Sequence, residues 1–200
     1  MIRTVFLAVV LMTCGSLLAQ PATSTAQDDS PFDKGTWTFS LTGGYITPIR
    51  YSEDKLVNVN LGAGYYFHDN HQANLELEGY YSDEREEVPA DEFGPGDSQD
   101  VIIGGLGLLL RWHFLPRERF SLFLDGGGSI TDANVAFPSG GTHFNFTGKV
   151  GLGASLRLDD RMHLIGGARY FHLSNGQIRK SDDNPGYDGI QIWAGLMWTR

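Results

Sequence analysis

An all-β fold is what this sequence predicts, an eight-stranded antiparallel up-and-down transmembrane β-barrel from Gly35 to Arg200. Three observations predict it. Apolar and polar residues alternate with period two over eight stretches, the signature of strands with one greasy face. The connections between those stretches alternate between longer and tighter. Aromatic residues gather near strand ends, while charged residues occupy the face opposite the apolar one.

Taken in order, the first strand carries Trp37, Phe39, Leu41, Gly43 and Tyr45 against Thr36, Thr38, Ser40, Thr42 and Gly44. The second sets Val57, Val59, Leu61, Ala63, Tyr65 and Phe67 against Asn58, Asn60 and His68, and the third sets Ala73, Leu75, Leu77 and Tyr81 against Asn74, Glu76 and Glu78. The fourth, Asp100 to Phe114, is less regular, with Ile103 and Leu109 on its inner face. The fifth sets Phe120, Leu122, Leu124 and Ile130 against Ser121, Asp125 and Ser129, and the sixth sets Phe144, Phe146, Val150, Leu152 and Leu156 against Asn145, Thr147, Lys149 and Arg157. The seventh presents Met162, Leu164, Gly166, Ala168, Tyr170, His172 and Ser174 on one face, and the eighth presents Asp188, Ile190, Ile192, Ala194, Leu196 and Trp198. Most reach the ~9–11 residues of a tilted membrane strand.

Links Pro48 to Asp54, Asp83 to Gln99, Thr131 to Thr142 and Asn175 to Tyr187 are the longer ones; Asp69 to Gln72, Leu115 to Glu118 and Asp159 to Arg161 are tight. Short turns on one side and longer loops on the other are the pattern of an outer-membrane barrel. A soluble, lipocalin-like barrel would hold its apolar residues inside. Here the face opposite the apolar one carries Glu76, Glu78, Arg111, Asp125, Lys149, Arg157 and Arg169, which can neutralise one another in a narrow lumen. Tyr45, Tyr65, Tyr81, Trp112 and Trp198 near strand ends fit interfacial girdles.

Residues 1–19 read as a secretion signal: Arg3, the apolar run Val5 to Met12, and a small-residue cleavage site at Leu17-Leu18-Ala19 before Gln20. Residues 20–34 are a polar lead-in expected to be flexible. The single cysteine, Cys14, lies in the signal, so the mature chain is expected to have no disulfide. Removing Arg3 with the signal takes the formal charge from −9 to −10. No basic stripe supports phosphate neutralisation, so a nucleic-acid partner is excluded.

Glycine, at 26 of 200 residues, runs above the ~7% average. The runs Gly104-Gly105-Leu106-Gly107 and Gly126-Gly127-Gly128 lack the strand-to-helix context of a phosphate loop and fit close packing in curved strands. His68, His71, His113, His143 and His163 have no metal-ligand spacing, so no metal is expected. Asn145-Phe146-Thr147 matches a glycosylation acceptor, but its place within a strand argues against that use. The acidic loop Asp83 to Asp100, with Asp91, Glu92 and Asp97, is a solvated loop in the first instance and a possible bridge through divalent cations to lipid phosphates in the second.

Three polar side chains interrupt an otherwise greasy face. His172, Ser174 and Asp188 all hold even positions on the last two strands, so a base, a hydroxyl and a carboxylate share the lipid-facing wall. A serine hydroxyl is a weak nucleophile until a positioned base takes its proton, and the base needs a partner to fix its tautomer. His-x-Ser sets the first pair at strand spacing two, and the hairpin brings Asp188 across from His172. This is the pattern of nucleophilic ester hydrolysis. It needs no cofactor.

The stretch His172-Leu173-Ser174-Asn175-Gly176, followed by Asn184-Pro185-Gly186-Tyr187-Asp188, resembles the signature of the lipid A 3-O-deacylase family (PagL-like, often labelled acyloxyacyl hydrolases). The resemblance implies an eight-stranded outer-membrane barrel that removes the ester-linked acyl chain at position 3 of lipid A. It implies Ser174 as nucleophile, His172 as general base and Asp188 as the orienting acid. It also implies that Asn175 is needed for activity and helps stabilise the oxyanion. Two residues depart from the family pattern: Asp188 stands where some members have Glu, and Gly176 where Ala is common. The segment between Asn175 and Asn184 is also slightly longer. Lipopolysaccharide in the outer leaflet is the partner this implies. The alternatives are a non-enzymatic structural or ligand-binding barrel, and a phospholipase or general esterase using the same residues.

Overall fold

The computed structural model describes residues 31–50, 54–87, 98–138, 140–178 and 186–200. Eight strands occupy nearly all of them: β1 (Trp37–Arg50), β2 (Leu56–His68), β3 (His71–Glu87), β4 (Ser98–Pro116), β5 (Phe120–Phe137), β6 (Thr142–Arg157), β7 (Met162–Ser174) and β8 (Tyr187–Thr199). Each pairs antiparallel with its neighbour in sequence, and β1 pairs with β8, so the sheet closes into a barrel. At the base of the seam Trp37 and Arg200 exchange both backbone hydrogen bonds, at 2.9 and 2.8 Å. Closure leaves no edge, the condition for a sheet in hydrocarbon.

Alternation decides the faces. Leu41, Val59, Leu75, Leu108, Leu152 and Ile192 are exposed on the outer wall, whereas Glu76, Glu78, Arg111, Asp125, Lys149 and Arg169 are buried in the lumen. That distribution is the inverse of a soluble barrel and belongs to a transmembrane one. Trp37, Trp112 and Trp198 ring the short-turn end, and Tyr45 and Tyr81 stand exposed toward the loop end.

The lumen is filled in three layers. At the loop end Ile46, Leu56, Ile103, Phe137, Phe171 and Tyr187 belong to one buried apolar cluster. The middle layer is ionic. Asp125 accepts from Arg169 at 3.0 and 2.7 Å and from Arg111 at 3.1 Å, while Lys149 bonds both Glu76 and Glu78. One cluster carries two cations and one anion, and the other one cation and two anions. Their charges cancel, which is what makes burying six ions tolerable. Arg169 reaches Asp125 by passing over Gly151, where an added Cβ would lie 2.6 Å from its Cγ.

Toward the base the lumen packs Tyr66, Phe123, Ile165, Trp193 and Met197 around Phe32. Phe32 is 2% exposed and stacks on His113 at 4.1 Å between centroids. The end of the segment expected to be flexible is therefore a plug: Phe32 is apolar, and the barrel base offers it a buried site. Residues 1–30, including the expected signal and most of the lead-in, lie outside the described residues.

Two further expectations are corrected. Arg157 is not a lumen charge; it sits at the turn after β6 and pairs with the exposed Asp160 at 3.0 Å, because the last residue of a strand has water within reach. The link between β5 and β6 is not long, since β5 continues to Phe137 and leaves only residues 138–141. The acidic residues Asp91, Glu92 and Asp97 lie outside the described residues.

Replacing Asp125 with Asn leaves two buried guanidiniums facing a neutral amide. Breaking such a cluster costs about 3 kcal/mol or more, so the urea midpoint of the refolded barrel should fall clearly. A midpoint equal to wild type would mean that the ionic layer contributes nothing to stability.

Candidate active site

The β7–β8 hairpin brings His172 directly opposite Asp188, with Tyr170 opposite Ile190. Even positions of both strands face outward, as Leu164, Tyr170, Ile190, Ile192 and Trp198 do. His172, Ser174 and Asp188 therefore meet on the wall rather than in the lumen. The structure joins all three. His172 Nδ1 lies 2.7 Å from Asp188 Oδ1, and His172 Nε2 lies 3.0 Å from Ser174 Oγ.

A carboxylate only accepts, so in the neutral imidazole Nδ1 carries the proton and Nε2 turns its lone pair to the serine. That is the tautomer a general base needs. The His172 side chain is 44% exposed and that of Asp188 only 11%. The base is open to a lipid ester while the acid is covered. Tyr170 on the same face also donates its hydroxyl proton to Asp188 Oδ1.

Ser174 is the last residue of β7, opposite Phe146 of β6, and His172 is opposite Gly148. A tight turn follows the serine. Asn175 is buried, and its side-chain oxygen accepts from the Gln177 backbone N–H at 2.9 Å while its carbonyl accepts from Ile178 at 3.3 Å. Gly176 and Gln177 are both left-handed, at φ 62° and 59°. Glycine suits the first of these positions: it meets the positive φ without penalty, and an alanine Cβ would come 3.3 Å from the Phe146 ring. Asn175 thus stands beside the trio, with its oxygen committed to the turn. Of the motif segment, Asn184 and Pro185 lie outside the described residues.

The remaining histidines are dispersed. His68 and His71 flank Asp69 in the turn between β2 and β3, and His143 Nδ1 lies 3.0 Å from the Ala133 carbonyl. Among the described residues no group of His, Cys, Asp and Glu has metal-binding geometry. Asn145 is buried and donates to the carbonyls of Phe137 and Thr142 at 3.0 and 2.7 Å, a structural role inside the loop end.

Sequence reasoning missed two further serine–histidine pairs, both buried in the lumen; in one, His163 Nδ1 lies 3.2 Å from Ser155 Oγ. In the other, His113 Nδ1 lies 2.6 Å from Ser121 Oγ, and its Nε2 lies 3.0 Å from the Tyr66 hydroxyl. Ser121 is fully buried in the lumen under Phe32, so this pair satisfies polar groups and has no route to a lipid. It also missed Tyr170, whose position on the greasy face reads as one more aromatic of the wall.

A model of the family described as lipid A 3-O-deacylase (PagL) matches residues 57–196, well over half of the chain. Three crystal structures of outer-membrane proteins are similar in fold. That of the outer membrane enzyme PagL has a TM-score of 0.57 at 11% identity, over 78% of this chain and 97% of that one. Neisserial surface protein A has a TM-score of 0.56 at 15% identity, over 82% and 95%. OprG from Pseudomonas aeruginosa has a TM-score of 0.55 at 12% identity, over 86% and 99%. At such identities these likenesses speak for the fold alone. No curated protein sequence matches the chain.

The serine–histidine pair on the wall and those in the lumen make a direct comparison. An alkyl sulfonyl fluoride added to the refolded barrel should label Ser174 and leave Ser121 untouched, and His172→Ala should abolish the labelling. Peptide mass mapping reads the outcome. Labelling at Ser121, or none at Ser174, would contradict the geometry.

Proposed function

Because the chain belongs to the lipid A 3-O-deacylase family, we propose that it is an outer-membrane serine esterase that hydrolyses the 3-O-linked acyl chain of lipid A. One observation carries this reading: the unbroken hydrogen-bonded line from Ser174 through His172 to Asp188 on the lipid-facing wall. In this reading residues 1–19 direct export and are removed, and the loop end of the barrel faces the outside.

The depth of the site supports that substrate. Ser174 ends its strand and Asp188 is the second residue of the next, so both stand at the loop rim. Charged side chains on a barrel's lipid face cost ~2–4 kcal/mol at the midplane for Arg or Lys, with Asp and Glu less, but only ~0–1 near the interface. The rim is where a carboxylate is cheapest to keep. It is also the level at which acyl esters join the sugar headgroup in the outer leaflet.

The chemistry follows from the tautomer. Ser174 Oγ attacks the ester carbonyl as His172 Nε2 takes its proton, and Asp188 stabilises the imidazolium that forms. Collapse of the tetrahedral intermediate breaks the bond to the sugar oxygen, which leaves with that proton. Water, deprotonated in turn by His172, then releases the fatty acid and restores the serine. Asn175, through its bond to Gln177, shapes the turn that follows the nucleophile.

Cells making the wild-type protein should yield lipid A lighter by one ester-linked hydroxyacyl chain, and cells making Ser174→Ala should yield unmodified lipid A. With purified lipopolysaccharide, Asp188→Asn should lower kcat by about 10²–10⁴. Mass spectrometry of lipid A and of free fatty acid reads both. Intact lipid A with fatty acid released from phospholipid would instead identify a phospholipase, and no release from either would return the chain to a non-enzymatic barrel.

A further inference from the structure

We infer that Tyr170 is a positioning residue of the site, holding Asp188 in the orientation from which it serves His172. The inference rests on the esterase reading above and adds to it a fourth residue on the same wall. His172 Nδ1–H and the Tyr170 hydroxyl converge on a single oxygen, Asp188 Oδ1. Two donors from β7 thus share one acceptor on β8.

The register explains how the phenol gets there. Tyr170 is two residues before His172 on β7, facing the same way, and its own cross-strand partner is Ile190 rather than Asp188. Its ring therefore spans the diagonal of the hairpin toward the loop end. Diagonal neighbours in an antiparallel pair are ~7–8 Å apart, within reach of an aromatic side chain and beyond that of a short one. A tyrosine at this position can touch the acid; a valine or leucine cannot.

The physical need is clear from the surroundings. Asp188 has a short side chain, and its carboxylate is largely covered against a wall that meets lipid. Little of the carboxylate is open to solvent, and an ionised carboxylate is stabilised by each hydrogen bond it accepts. The bond from His172 reaches Oδ1 from one direction, and the bond from Tyr170 reaches the same atom from a second. That second donor is carried on a ring with few torsions, so it restrains rotation of the carboxyl group and keeps Oδ1 aimed at the imidazole.

An aromatic that merely packs against lipid would leave the chemistry alone, so the test separates the two roles. In the full-length refolded barrel with purified lipopolysaccharide, Tyr170→Phe keeps the ring and loses the donor. The expected result is a fall of about tenfold in kcat with KM unchanged, the scale of one charge-assisted hydrogen bond acting through a neighbour. Tyr170→Leu should show the same fall, and heat-modifiable gel mobility of both variants should match wild type. In an Asp188→Asn background, Tyr170→Phe should cause no further loss, because residues acting as one unit are not additive. Wild-type kcat in Tyr170→Phe overturns the inference, as does an equal loss in both backgrounds. Ser174→Ala, assayed alongside, reports separately on the underlying reading: activity that survives it overturns the esterase site as a whole.

Discussion

In hydrocarbon every backbone N–H and C=O must find its partner within the protein, and a sheet meets that demand only by closing on itself. Closure removes freedom from the side chains as well. Once β1 is paired to β8 and every strand to its neighbour, each residue faces either lipid or lumen, and a shift of one position would reverse a whole strand. His172, Ser174 and Asp188 owe their common face to this rule. They are polar residues in places where the alternation elsewhere puts Leu, Ile and Trp, and the sheet holds them on the outer wall regardless.

The lumen answers the same constraint from the other side. Six buried ions form two clusters of opposite net charge, bridged by strands that lie far apart in sequence, such as Arg169 on β7 and Asp125 on β5. Apolar layers cap this belt at both ends, Phe171, Leu173 and Tyr187 above and Phe123, Trp193 and Met197 below. Phe171 and Leu173 alternate with Tyr170, His172 and Ser174 along β7, and Tyr187 immediately precedes Asp188. The packed interior is therefore what holds the backbone beneath His172, Ser174 and Asp188. Rigid elements position catalytic groups better than loops do, and here the scaffold is a filled barrel wall.

Much of this is legible in the sequence because the period of two is unambiguous. Strand count, antiparallel order, face parity and the meeting of His172 with Asp188 across the hairpin all follow from it. What escapes has a physical reason in each case. Phe32 lies in a polar segment, and only the closed base of the barrel offers it a buried place. Arg157 shares parity with the lumen charges but ends its strand, so the turn and Asp160 claim it. The apolar loop-end interior breaks the simple rule that lumens are polar, since a narrow barrel without a channel can be filled by any side chains that pack. Tyr170 is invisible because an aromatic on a lipid-facing wall is ordinary; only the register and the position of its hydroxyl reveal its bond to Asp188. Asn175 follows the strand's end, so face parity says nothing of it; only the structure shows its side-chain oxygen held by the Gln177 backbone N–H in the turn.

The central claim is that Ser174, activated by His172, forms a covalent bond to the acyl chain it removes. Rapid-quench mixing of the refolded barrel with excess lipopolysaccharide, followed by mass analysis of the peptide containing Ser174, tests this most directly. The account predicts a transient adduct with the mass of one hydroxyacyl chain on Ser174, absent when His172 is replaced by Ala. Steady release of fatty acid with Ser174 unmodified throughout, or the adduct on another residue, would contradict it.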